Sequence, residues 1–370
     1  MKLSLQELKS AIADYVLSNK IAVDFQVTAD NVAGLIDKIG VMFTLDGTYE
    51  DHLEMFDGFD LPYGKTLEEW FEDLIMPADY DSTGANALAP SDPTYRKPSY
   101  SLTLGRKVFK TTRRYDNVER AVHNQQELVE LITMIMKRLY DSFNLFKFGC
   151  KKQGLASLYE KVVSATYSNW STSSAYSVND LVKSGTSTGI VVKALASSHG
   201  KSFATAVADG NVVVYDIVRE LAIPTDTSSG EAWLKQVKKD YEQSRFAHEG
   251  SSLNGNTIGV GEDGLVLLVK KGIMPVIDVD VLAGAFHQDK VGAPVEIKVI
   301  DDFGVDSNDD PIDAYAILLD KRGMFFCNGY RAVREQVNAD GDFINYYLHT
   351  ENTLHISRNT FVKIYKPVGA

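Results

Sequence analysis

The segment from His52 to Tyr115 constrains this chain more than any other. Gly58, Pro62, Gly64, Pro77, Gly84, Pro90, Pro93 and Pro98 punctuate it, and few periodic apolar runs lie between them. Unstructured connections longer than about 12–15 residues are uncommon inside compact domains, so a stretch this long is not an ordinary loop. Its aromatic residues (Tyr63, Trp70, Phe71, Tyr80, Tyr95 and Tyr100) argue against disorder, because disordered tracts are poor in them. What remains is an extended arm that finds its burial on another surface. Within it, only Thr66 to Ile75 has helical character, and Ser99 to Arg114 reads as a polar strand pair.

The strongest helix follows. Between Gln125 and Phe146, apolar residues fall at Leu128, Leu131, Ile132, Ile135, Met136, Leu139, Tyr140, Phe143 and Phe146. That spacing is one face of an amphipathic helix and predicts a spine over 125–147, about 33 Å long. Gly149 is expected to interrupt it, with Leu155 to Val163 resuming helical character. Residues 168–215 are rich in Ser, Thr and Gly, with the β-branched runs Gly189-Ile190-Val191-Val192 and Val212-Val213-Val214, and predict a small β-rich insertion on an exposed surface. Ser228-Ser229-Gly230-Glu231 has capping-box spacing, and Trp233, Val237 and Tyr241 share a face of the helix that follows. From Thr257 the chain reads mostly as strands, with a short helix at Val281–Phe286 and a hairpin turn at Asp320-Lys321-Arg322-Gly323. The fold class expected is α+β.

Charge narrows the function. Of 370 residues, 38 are Lys or Arg and 50 are Asp or Glu, a formal net charge of −12. Such a surface repels nucleic acid unless its cations are segregated. They cluster in one place, at Arg96, Lys97, Arg106, Lys107, Lys110, Arg113 and Arg114. A nucleic-acid-binding strand pair is one reading; contact with acidic groups of a neighbouring subunit fits the overall charge better. Cys150 and Cys327 cannot form a disulfide framework or a four-ligand zinc site, and they suit a reducing compartment. The first residues carry no apolar signal core, and no run of about 18 apolar residues occurs, so a soluble, unsecreted product without a membrane partner is expected.

Motifs that match catalytic signatures by letter fail on context. Gly259-Val260-Gly261-Glu262-Asp263-Gly264 fits the dinucleotide fingerprint, but a strand follows where a helix N-terminus must meet the pyrophosphate. Gly185-Thr186-Ser187-Thr188-Gly189 fits the nucleophile elbow, yet β-branched residues follow it. Asp302-Phe303-Gly304 stands without the rest of a kinase signature. The acidic run Asp301 to Asp313 lacks EF-hand spacing and reads as a solvated loop rather than a cation site. Asp278 and Asp280 lie on one face of a β-like run, with no His or Lys beside them to complete acid–base chemistry. No catalytic residue, cofactor or metal is expected. A hydrolase built on Ser187 or on Asp278 and Asp280 remains the remote alternative.

The order of parts, a leading arm, a long extended loop, one long helix and a mixed β region, resembles the Johnson (Hong Kong 97-type) fold of tailed-phage capsid proteins. Particular blocks sharpen this. Leu61-Pro62-Tyr63-Gly64-Lys65-Thr66-Leu67-Glu68-Glu69-Trp70-Phe71-Glu72-Asp73-Leu74 is similar to a block of the major capsid proteins of small short-tailed, phi-twenty-nine-like bacteriophages. Ile277-Asp278-Val279-Asp280-Val281-Leu282-Ala283-Gly284-Ala285-Phe286 is similar to that family's Asp-Val-Asp-Val-Leu-Ala segment. Val299-Ile300-Asp301-Asp302-Phe303, Leu319-Asp320-Lys321, Tyr346 to His349 and Leu354 to Arg358 follow in the same order. Residues 168–215 have no evident counterpart.

The resemblance implies a structural, non-enzymatic protein that assembles with itself into pentamers and hexamers of an icosahedral or prolate head around double-stranded DNA, without sequence-specific binding. It also implies portal and scaffolding partners, assembly in the host bacterial cytoplasm and residence in the virion. An encapsulin-type storage shell is the near alternative on the same fold. The implied layout is an N-terminal arm at 1–48 and an extended loop at 49–117. A peripheral domain would take 118–167, 216–250 and 341–370, with the insertion at 168–215 and an axial domain at 251–340. No immunoglobulin-like decoration is expected after the last strands. Tyr63, Lys65, Glu68, Trp70, Arg113, Arg114, Asp278 and Asp280 are the candidate subunit-contact residues.

Overall fold

A computed structural model describes residues 49, 51–61, 67–72, 95–96, 101–114, 125–163, 165–246, 249–255, 259–261, 263–277 and 295–369. The chain divides into two compact units. One takes its described residues from Met1–Lys65, Leu102–Lys151 and Phe326–Leu354; the other takes them from Thr66–Ser101, Lys152–Phe325 and His355–Ala370.

In the first unit, β1 (Asp57–Asp60), β13 (Met324–Asn338), β14 (Phe343–Ile356) and β4 (Ser101–Arg114) form a four-stranded sheet in the order β1-β13-β14-β4. The expected strand pair at Ser99–Arg114 is over its described part a single 14-residue strand. Gly105, within that strand, takes a φ of 70°, a kink that costs glycine little. Helix α1 runs unbroken from Gln125 to Val163, 39 residues or about 58 Å, with its residues up to Lys151 in this unit and those from Lys152 in the other. Gly149 therefore does not interrupt it. The glycine is exposed, and no atom lies within 4 Å of the point where a Cβ would project, so its cost of about 1 kcal/mol is purely local. Packing on either side outweighs that cost. Ile135, Met136, Leu139 and Phe143 are buried as their spacing predicts, and Phe109 of β4 meets Phe143 and Phe146 edge-on at 6.1 and 5.8 Å.

Because the helix continues past Gly149, it carries Lys151 into the interior, where the side chain is fully buried. Its Nζ donates to Asp51 Oδ2 at 2.6 Å, Asp57 Oδ1 at 2.5 Å and the Leu53 carbonyl at 2.9 Å, and lies 5.8 Å from the Phe326 ring centre. Lys147 adds a 2.6 Å contact to Asp57. A buried charge is tolerated only when its hydrogen-bonding capacity is filled in this way.

In the second unit, β11 (Glu296–Ile300), β10 (Leu265–Lys270), β12 (Ala316–Asp320), β15 (Val362–Lys366) and β9 (Val218–Glu220) form a five-stranded sheet in that order. β10 and β12 are antiparallel, with Leu267 opposite Leu318, and both are buried along almost their whole length. Such strands read as continuous apolar runs. Helix α3 (Thr227–Ser244) packs Trp233, Val237 and Tyr241 into the same core as Leu265, Leu267 and Tyr365. Its cap is Asp226 rather than Ser228. The Asp226 carboxylate accepts from Ser229 N at 2.8 Å, and Ser229 Oγ accepts in return from Asp226 N at 3.2 Å. β9 and β15 belong to segments expected as peripheral, and they share this sheet with β10–β12 from the segment expected as axial.

The turn at Asp320–Gly323 is a short 3-10 turn, but β12 and β13 lie in different sheets, so it is not a hairpin. Asp320 accepts from Arg322 N at 2.8 Å and redirects the chain, because β13 finds its partners in β1 and β14.

The segment 168–215 is β-rich: β5 (Ser168–Asn169), β6 (Leu181–Ser184), β7 (Ser187–Val191) and β8 (Val212–Val214) form a four-stranded sheet, with α2 at Phe203–Ala208. It has its own apolar cluster of Tyr176, Val182, Val191, Leu195, Ala206 and Val212. Trp170 stacks on Tyr176 at 4.6 Å.

Candidate functional site

The arm's described root is extended where helical character was expected. Over residues 67–70, Leu67 and Glu69 turn partly inward while Glu68 and Trp70 are exposed, the period of a strand. Trp70 leaves 69% of its surface open. β2 (Phe71–Glu72) pairs antiparallel with β3 (Tyr95–Arg96), Phe71 opposite Arg96 and Glu72 opposite Tyr95. Ser101, at the start of β4, closes the base. Its Oγ donates to the Leu67 carbonyl and accepts from Leu67 N, both at 2.9 Å, across 34 residues of sequence.

Glu69 fastens this root to the turn after β14. Its Oε1 accepts from Ser357 Oγ at 2.8 Å and Asn359 Nδ2 at 2.9 Å, and Oε2 lies 3.3 Å from His355 Nε2. Burial pushes the Glu69 carboxyl up, but the contact with His355 and the bonds from Asn359 and Ser357 outweigh it and hold the group below its usual range. His355 Nδ1 in turn lies 3.3 Å from Ser101 Oγ, and the Phe325 ring stacks on the imidazole at 6.5 Å.

The basic stripe lies on β4 in the first unit. Arg106 lies over the Tyr330 ring at 5.0 Å and pairs with Glu351 at 3.5 Å, so it finds an acidic partner in its own chain. Lys110 lies over Tyr347 at 5.7 Å, and Thr112 donates to Asn345 at 2.6 Å. Arg113 is half-buried and donates to the Thr112 carbonyl at 3.4 Å; Arg114 is exposed.

Of the contact candidates, Glu68 and Trp70 share the open side of the arm's root, and Arg113 and Arg114 lie at the end of β4. Tyr63, Lys65, Asp278 and Asp280 lie outside the described residues, as does the expected helix at Val281–Phe286. Glu69, Ser101, His355, Ser357 and Asn359 were not singled out from sequence. The Glu68-Glu69 pair next to a tryptophan was the available signal, but the partners lie up to 290 residues away.

The motif matches resolve as turns. Ser187 opens β7 opposite Ser184, across the two-residue turn Gly185-Thr186 with Gly185 at φ 62°, and no helix follows it. Gly264 N bonds the Gly261 carbonyl at 3.1 Å just before β10. Asp301 and Asp302 bind Lys152 at 2.9 and 3.0 Å, and Asp306 accepts from Asn308 N and Asp310 N at 2.8 and 3.0 Å, closing its own loop. Among the described residues no group of His, Cys, Asp and Glu is placed to hold a metal ion, and no helix is long and apolar enough to cross a membrane.

The chain is 22% identical over 341 residues to the major capsid protein of Bacillus phage PZA, covering 92% of this chain and 64% of that one. It thus spans less than two thirds of the curated relatives it matches. Among solved structures it is similar to a chain of the capsid of Staphylococcus phage Andhra, with a TM-score of 0.54 at 9% identity, covering 85% of this chain and 86% of that one. A chain from the structure of head fiber and inner core protein gp22 of native bacteriophage P68 gives 0.56 at 11%, covering 88% and 86%. The α+β fold is therefore the Hong Kong 97-type fold of phage capsid proteins. With a match over residues 6–362, the chain belongs to the Phi29-like phage major capsid protein family.

Proposed function

We propose that this chain is the shell-building subunit of a tailed-phage head, assembling with copies of itself around double-stranded DNA. The observation that carries the reading is the family match over residues 6–362. The arm supplies the physical rationale. An exposed Trp70 on a root clamped from both ends offers a large apolar ring at little entropic cost, which is what anchors a protein interface. Glu68, Arg113 and Arg114 supply charges for the rim of such contacts, and Tyr63 and Lys65 are further candidate contact residues. Asp278 and Asp280 are the candidate contacts with the next copy around the five- and six-fold axes, where contacts are heterologous and a cation of that copy is a partner for them.

The net charge of −12 suits a container whose polyanionic contents are held without attraction. Portal and scaffolding proteins are the further partners, assembly takes place in the host cytoplasm, and the insertion at 168–215 is a surface decoration. The encapsulin alternative is set aside because the family matched is a phage one. The hydrolase alternative has no nucleophile elbow at Ser187.

Sedimentation velocity of the purified chain, alone and with its scaffolding partner, tests this. Megadalton closed particles support the reading. A species that remains monomeric under both conditions refutes it.

A further inference from the structure

We infer that Glu69 and His355 are positioning residues that fix the root of the arm according to the charge on the His355 imidazole. The inference deepens the shell reading by assigning regulation to the arm; the latch itself is a property of the single subunit.

The protons in this cluster are few, and each can be placed. Ser101 Oγ has one, and it goes to the Leu67 carbonyl at 2.9 Å. The same oxygen accepts from Leu67 N at 2.9 Å. His355 Nδ1, 3.3 Å away, can then engage Ser101 only as a donor. On the other side of the ring, Glu69 Oε2 is a buried carboxylate oxygen with no aligned hydrogen bond, and His355 Nε2 stands 3.3 Å from it. That nitrogen must also carry a proton for the contact to be attractive. Both ring nitrogens donate only in the imidazolium.

A neutral ring breaks one side or the other. Protonated on Nε2 alone, it turns a lone pair on Ser101, which must withdraw its proton from Leu67. Protonated on Nδ1 alone, it turns a lone pair on a buried carboxylate oxygen, the costlier arrangement. One proton therefore couples the two ends of the arm, Glu69 on the outgoing side and Ser101 on the returning side.

The surroundings leave the ring this role. Phe325 of β13 covers its face at 6.5 Å, and Glu69 is the charged group that the described structure places at ion-pair distance. Asp301 and Asp302 are engaged by Lys152 elsewhere in the unit, and Arg358, on the same turn, acts on Lys161 and Tyr215. Ser357 and Asn359 hold Glu69 Oε1 whatever the state of the ring. Histidine is the side chain whose charge ordinarily changes between about pH 5 and 8. The root is thus tight when the ring is charged and loosens as pH rises.

Hydrogen exchange of the unassembled full-length subunit tests this, read on peptides covering 67–72 and 95–101 and corrected for intrinsic exchange. Protection at pH 5.5 is expected to exceed that at pH 8 by about tenfold, the scale of one charge-assisted hydrogen bond. His355→Gln should flatten the pH response, and so should Glu69→Gln, which keeps the shape of the side chain and serves if the first variant misfolds. Protection in the natural sequence that does not change with pH overturns the inference, as does a folded variant that retains the response. The assay uses unassembled subunits, so its outcome is independent of shell formation. A flat profile from a chain that builds shells sinks the latch alone, and a pH response in a chain that builds none sinks the shell reading alone.

Discussion

Lys151→Met keeps the aliphatic stem of a fully buried side chain and removes its charge and three donated bonds. Asp57 retains Lys147 at 2.6 Å, but Asp51, with 6% of its side chain exposed, keeps among the described residues one cation, Lys147 at 3.9 Å, beside the bond from Leu53 N. Removing one partner of a buried ion pair costs about 3–5 kcal/mol because the other charge is stranded. Lys147 limits the damage to Asp57, so a loss of about 3 kcal/mol is expected. The double variant Lys151→Met with Asp51→Asn removes the stranded charge. The Asn Oδ1 can still accept from Leu53 N, which Asp51 now does at 3.0 Å, so the double variant should recover more than half of that loss. Urea unfolding of dissociated subunits, followed by far-UV circular dichroism, measures both. A single-variant loss below about 1 kcal/mol, the range of an exposed pair, would mean that Lys151 is not held in the interior and that α1 does not run through Gly149 as described.

Gly149→Ala should raise subunit stability by about 0.5–1 kcal/mol, measured in the same unfolding assay, since the site is helical, exposed and sterically open; a loss would show that the glycine is needed for its conformation. The Asp216 carboxyl is pushed up by burial, but Arg219, Lys363 and Gln243 outweigh this and hold it far below its usual range. A depressed carboxylate contributes stability above its unfolded-state pKa, about 3.9, and loses it as pH falls. The stability gap between the natural chain and Asp216→Asn should therefore be constant above about pH 5 and shrink below about pH 4, and a gap that widens on acidification contradicts the assignment. Burial pushes the Cys150 thiol up to about 11, with Lys107 opposing weakly, so alkylation of the folded subunit by iodoacetamide at pH 8 should be far slower at Cys150 than for a free thiol. Rapid labelling there would mean the residue is not half-buried.

Local pattern was legible where local physics decides. Ile135, Met136, Leu139 and Phe143 are buried because a 3.6-residue period puts them on one face, and Trp233, Val237 and Tyr241 follow the same rule. The apolar strand character of β10 and β12 was equally readable. Gly149 misled because a propensity penalty of about 1 kcal/mol is small beside the packing of a long helix. Lys151 gave no sign of burial, since lysine ordinarily marks a surface and its partners lie about a hundred residues upstream. Asp320–Gly323 has hairpin chemistry, yet the strand after it pairs with β1 and β14, a choice made by distant partners. The clamp on Glu69 was hidden for the same reason: its bonds to His355, Ser357 and Asn359 close across most of the chain.

Closure of a shell by copies of this chain, through the arm, is tested most directly by electron microscopy of particles. The intact chain is imaged beside a variant in which residues 73–94 are replaced by a short Gly-Asn turn. That variant keeps Leu67, Glu69, the β2–β3 pair and Ser101, so the fastening of the root is untouched. Closed particles are expected from the intact chain, and folded subunits with natural melting but no closed particles from the variant. Closed shells from both, or from neither, would contradict closure through the arm.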